Sequence, residues 1–131
     1  MLYNLKDTLS YFNSFLFFLF RTLLILPQQV WYDGLPDTTL KEENWGIKEE
    51  DILFIKNGEA KNIKNISRHL RNSVSHYRFK AFENESKEIS HIKFEDFTDK
   101  VVKTFEADIT VTNIRKFTTK LTEIFISEMK K

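Results

Sequence analysis

The segment EAKNIKNISRHLRNSVSHYR, residues 59–78, carries the clearest periodicity in the chain. Its apolar residues Ile63, Ile66, Leu70, Val74 and Tyr77 recur at spacings of 3, 4, 4 and 3, the interval that aligns side chains along one face of an α-helix. Asn57-Gly58 marks a turn just before it. At about 100° per residue the apolar stripe centres about 160° from Asn72, with His76 about 40° from Asn72. These two residues therefore point away from the helix's own core. Arg68 and His69 fall on the same polar face, and Arg71 and Ser75 on one shoulder.

Beyond this helix, Arg78–Phe82 and Ile89–Phe94 are β-prone pieces on either side of the polar stretch Glu83-Asn84-Glu85-Ser86, which predicts a hairpin. Asp96 is placed to cap a short helix carrying Phe97, Val101, Val102 and Phe105. Thr110 or Thr112 is placed to cap a last helix carrying Ile114, Phe117, Leu121, Ile124 and Phe125. On the other side, Ile52, Leu53 and Ile55 fit either a helical turn or a short strand. Pro27 to Trp45 is acidic, holds both prolines and Asp33-Gly34, and predicts a surface connection.

The N-terminal segment is uncharged from Thr8 to Phe20 and wholly apolar from Phe15 to Phe20. It is shorter than the roughly 18–20 residues a bilayer core needs, and Arg21 and Pro27 interrupt the pattern. It also lacks the small-residue cleavage site of a signal peptide. The expectation is a buried first helix with no membrane span. Being apolar on most of its circumference, such a helix wants partners on several sides, which favours oligomerisation.

Composition narrows the class. The chain has 131 residues, 41% hydrophobic, 30% charged and 15% aromatic, with 13 Phe, three Gly, two Pro and no Cys. That length supports one core, so a single domain over residues 1–131 is expected. Without cysteine there is no disulfide scaffold, thiolate metal site or Cys nucleophile, and a cytoplasmic location is the default expectation. Scarce turn residues argue against a many-stranded β-sandwich, so a mainly α fold with a β-hairpin after residue 78 is expected. The net charge is only +1, but residues 33–51 carry two Lys against seven acids and residues 59–80 carry six Lys/Arg against Glu59. A basic surface strip of that kind suits a phosphate-bearing partner.

The chemistry gathers at Arg68-His69-Leu70-Arg71-Asn72-Ser73-Val74-Ser75-His76-Tyr77-Arg78, which holds two of three histidines and three of five arginines. Histidine suits proton transfer near neutrality, and Arg is a natural donor to a phosphate or developing oxyanion. A polar helix face of this composition can equally be plain solvated surface, and His69 and His91 are assigned to that reading. No His-x-x-x-His or Glu-x-x-His spacing suggests a metal site, no pair of carboxylates on a helix suggests acid–base work, and there is no Gly-rich phosphate loop.

At Arg71-Asn72-Ser73-Val74-Ser75-His76 the sequence resembles the HEPN superfamily, whose hallmark is Arg, four to six residues, then His, with a polar residue directly after the Arg. Leu70 before the Arg, the amphipathic helix that carries the motif, the hydrophobic segment ahead of it and the amphipathic C-terminal segment belong to the same resemblance, as does the size of a small plasmid-type member. The resemblance implies a HEPN-like helical bundle, with the hairpin as an insertion, that dimerises around the motif helices. It implies RNA cleavage without a metal or other cofactor, in a toxin–antitoxin or phage-defence setting, with an antitoxin as a further partner. Arg71, Asn72 and His76 are then the catalytic group, and Arg68 and Arg78 contact the RNA backbone. The alternatives are a non-catalytic HEPN protein that binds nucleotide or RNA on the same face, and a helical protein whose Phe-rich first helix binds a membrane or partner.

Overall fold

The structure, a computed structural model, describes residues 32–131. The expected first helix, with its Phe15–Phe20 run, lies outside the described residues. In chain order there follow a short 3-10 turn at Glu49–Asp51, β1 (Ile52–Ile55), α1 (Ile63–Ser75), β2 (Phe79–Glu83), β3 (Ile89–Phe97), β4 (Lys103–Thr110) and α2 (Val111–Met129). The strands make one antiparallel sheet in the order β1-β4-β3-β2.

This architecture corrects the expectation of a mainly α, HEPN-like helical bundle carrying a hairpin insertion. The hairpin is present, at β2 and β3, but it is half of a four-stranded sheet. The short helix expected after Asp96 does not form. Phe97, Val101 and Phe105 imitate a helical interval, yet Phe105, Ala107 and Ile109 alternate at period two. The ladder on β3 settles the competition, pairing Ile92 with Ile109, Phe94 with Ala107 and Asp96 with Phe105. Val101 and Val102 stay exposed in the intervening turn. The ambiguous Ile52–Ile55 becomes a strand for the same reason, because Ala107 and Phe105 of β4 offer it partners.

The core lies between the sheet and the two helices. Ile63, Ile66, Leu70 and Val74 of α1 meet Ile92, Phe94, Phe105, Ala107 and Ile109 of the sheet, with Ile114, Phe117, Leu121 and Phe125 of α2. Burying each of the larger side chains contributes roughly 1.5–3 kcal/mol. α1 begins at Asn62, whose side chain accepts from the Asn65 N–H at 2.8 Å. α2 begins at Thr110, whose hydroxyl accepts from the Asn113 N–H at 3.3 Å, so of the two expected caps Thr110 is the one used. The segment expected to be surface connection is only partly so. Its carboxylates face outward, but Tyr32, Leu35, Leu40 and Trp45 are buried, with Tyr32 against Phe125 and Trp45 against Phe117.

Gly46 is where this segment presses on α2. Its φ is +106°, and a Cβ there would sit 2.7 Å from Lys116 Cβ and 2.8 Å from the Asn113 carbonyl oxygen. Positive φ and backbone overlap act together, so Gly46→Ala is expected to cost about 2–4 kcal/mol. Urea unfolding measures it; an unchanged midpoint would show that this contact is not held in solution.

Candidate functional site at the C-terminal end of α1

The end of α1 is built by the chain turning into β2. The Tyr77 N–H donates to the Val74 carbonyl at 3.2 Å and the Arg78 N–H to the Ser73 carbonyl at 2.7 Å, which together close a Schellman motif around the capping residue His76. The left-handed residue this motif requires is Tyr77, at φ 54°. Glycine is the ordinary occupant, and a side chain there costs roughly 1–2 kcal/mol. Tyr77 is also 78% exposed, so burial returns little of that cost.

The five residues singled out in the sequence occupy different environments around this end. His76 is exposed, and its N–H donates to the Asn72 carbonyl. Arg71 is half-buried, its guanidinium 4.6 Å from the centroid of the Tyr32 ring. Burial drives the Tyr32 hydroxyl well above the ordinary tyrosine range, with Arg71 pulling weakly the other way. Arg68 donates to the Asn65 side chain at 3.0 Å. Arg78 lies 4.4 Å over the Phe97 ring. Arg71 lies on α1 and His76 caps it, five positions apart, which on helical geometry is about 140° around the axis.

Asn72 is tied inward. Its amide donates to Asp96 Oδ2 at 3.2 Å, and the same oxygen accepts from His69 Nδ1 at 2.7 Å. The other ring nitrogen of His69 meets Glu59 Oε1, while Lys56 lies 3.3 Å from Glu59 Oε2. The imidazole stacks on Phe105 with centroids 4.7 Å apart. All three side chains of this Glu59–His69–Asp96 cluster are under 10% exposed. Desolvation acts to raise the Asp96 carboxyl pKa, but the His69 and Asn72 side chains and the Phe97 N–H bind its ionised form and hold it below the ordinary carboxylate value.

This cluster corrects three expectations. His69 is not solvated surface, and Asp96 does not cap a helix. Asn72 turns toward the sheet and its buried carboxylate, so that of the pair Asn72 and His76 only His76 points away. The buried arc of α1 is wider than its apolar stripe, taking in Ser67, His69 and Ser73. Ser73 marks that edge, its hydroxyl lying 2.9 Å from the His69 carbonyl and 2.7 Å from the Glu95 carbonyl on β3. The available signal was position: His69 follows Ile66 by three residues and precedes Ser73 by four. Its partners, 10 and 27 residues away, left no local mark. His91, by contrast, is half-exposed on β3 against Phe82.

Glu59 and Asp96 approach opposite nitrogens of the ring, so the cluster does not converge on one point. Among the described residues no group of three or more His, Cys, Asp or Glu could hold a metal ion, and no helix is long and apolar enough to cross a membrane. No curated protein and no solved structure matches the chain. The family model HEPN pEK499 p136 matches residues 2–131, nearly the whole length, a range that includes residues 71–76. The chain belongs to the HEPN pEK499 p136 family.

Proposed function

We propose that this HEPN protein is a metal-independent endoribonuclease acting as a homodimer, with Arg71, Asn72 and His76 as its catalytic group. The observation that carries the reading is the state of these three side chains at one helix end: His76 exposed, Asn72 held by a buried carboxylate, and Arg71 braced over Tyr32. In the reaction the ribose 2′-oxygen attacks the adjacent phosphorus as His76 takes its proton. The O2′–P bond forms, the P–O5′ bond breaks, and the 5′-oxygen takes up a proton. The products are a 2′,3′-cyclic phosphate and a 5′-hydroxyl. Arg71 stabilises charge on the phosphoryl oxygens, which is greatest in the transition state.

The angle between Arg71 and His76 is the reason for a dimer. A two-fold axis beside α1 sets the patch against itself, bringing two copies of His76 into one cleft with Arg71 reaching in from each shoulder. One copy of His76 then serves as base and the other as acid. A nuclease of this kind needs restraint in its own host, which suits a toxin with an antitoxin partner or a phage-defence component.

The test is incubation of a defined RNA with the protein in excess chelator, with the product ends analysed. Cyclic phosphate and 5′-hydroxyl ends are expected. Products with 5′-phosphates that require added metal would overturn the mechanism, and RNA bound without turnover would assign the face to binding alone.

A further inference from the structure

Below His76 the chain forms a groove of about 480 Å³ between the helix end and the outer face of β2 and β3, lined by Tyr77, Arg78, Lys80, Phe82, Lys93 and Phe97 among others. The strand register explains its composition. Phe79 and Ala81 of β2 pair with Phe94 and Ile92 on the core side, which turns Lys80, Phe82 and, from β3, Lys93, Glu95 and Phe97 outward. Its cations lie on aromatic rings: Arg78 is 4.4 Å above Phe97 and Lys80 is 5.4 Å from the centre of Phe82. Among the described residues neither cation is ion-paired. Lys93 is engaged by Glu106, and the lining carboxylate Glu95 is held by Lys103.

We propose that this groove is a track for single-stranded RNA, stacking a base on Tyr77 and leading the strand past His76. The inference rests on the endoribonuclease reading and names the form of RNA that reaches the site. Three features support it. Tyr77 spends backbone strain to hold an exposed ring where glycine would end the helix more easily. The Arg78 guanidinium, 4.4 Å over the Phe97 ring, is a second planar group on which a base can stack. The cations beside these planes suit a phosphate chain, and aromatic faces beside a basic groove bind single strands of any sequence. A duplex keeps its bases within its own stack and offers Tyr77 nothing to receive. Tyr77 and His76 are adjacent residues, about 3.8 Å apart at Cα, so a strand stacked on Tyr77 runs within one residue of His76. The basic groove along α2 near Arg115, Lys116 and Lys120 lacks this character, since its one aromatic, Trp45, is buried.

Binding is tested apart from cleavage by fluorescence anisotropy on the full chain, with a short single-stranded oligonucleotide lacking 2′-hydroxyls and the duplex of the same sequence. Tyr77→Gly is expected to weaken single-strand affinity about tenfold, with a melting temperature equal to or above that of the parent. Tyr77→Asn, which also tolerates the left-handed backbone, should behave alike, and Tyr77→Phe should bind as the parent does. Lys80→Gln should weaken binding with a shallower salt dependence. Equal affinity for duplex and single strand, unchanged affinity in Tyr77→Gly and Tyr77→Asn, or no binding by the parent protein would overturn the track. Absence of RNA cleavage together with Tyr77-dependent binding would remove the nuclease reading and leave the groove standing. His76-dependent cleavage with Tyr77-independent binding would do the reverse.

Discussion

His76→Ala is expected to lower RNA cleavage at least about a hundredfold, the usual scale for removing an acid–base group, with the thermal midpoint little changed. The side chain is exposed, and the cap it occupies is made by backbone groups that alanine keeps. Arg71 is the harder case, because its guanidinium also lies over Tyr32. Arg71→Ala should lose a similar factor in cleavage and about 0.5–1 kcal/mol of stability. Arg71→Lys separates the two effects: it keeps the charge but not the planar fork that grips a phosphoryl group. It should recover most of the stability and little of the activity. Mixing the inactive His76→Ala and Arg71→Ala proteins probes the shared site, because the one cleft of a mixed dimer regains a single His76 and a single Arg71 and so should recover part of the activity. Full activity in either single variant would end the mechanism.

His69→Ala should destabilise the protein by about 3–5 kcal/mol, the cost of removing one member of a buried charged cluster. Glu59 and Asp96 would be left facing an emptied site, and Phe105 would lose its stacking partner. Asp96 adds a pH signature. Its folded-state pKa lies below the unfolded value of about 3.9, so the stability it contributes is fully present above that pH. It is lost as the pH falls through the lower folded value. Asp96→Asn should be less stable than the parent at neutral pH and show a shallower loss in acid. Glu106, held below the ordinary carboxylate value chiefly by Lys103, keeps the remainder of that acid limb. Asp96→Asn also replaces the charge-assisted bond to the Asn72 amide with a weaker neutral one, so cleavage by the folded variant should fall as well. Urea titrations across the acid range measure the slope; equal slopes would show that Asp96 is not bound this way in solution.

What was legible in the sequence was local. The spacing of Ile63, Ile66, Leu70 and Val74 pointed to α1, although Tyr77, read on the same stripe, lies past its end and is exposed. The β-prone pieces around Glu83–Ser86 pointed to the hairpin, and Thr110 or Thr112 to the start of α2. Arg71, Asn72 and His76 stood out because one predicted helix carried all three, and together with the hydrophobic and amphipathic segments around it that interval pointed to the family that the whole-length match shows. A four-residue apolar stretch such as Ile52–Ile55 has no period of its own to obey, and Phe97–Phe105 satisfies two periods at once. Only the ladder partners across the sheet could choose strand for Ile52–Ile55, and strand–turn–strand in place of a helix for Phe97–Phe105. The Glu59–His69–Asp96 cluster and the basic aromatic groove belong to the tertiary structure for the same reason. Each joins side chains from a loop or helix to a strand that is distant in sequence, and their energies come from burial and pairing that exist only once the chain has closed on itself.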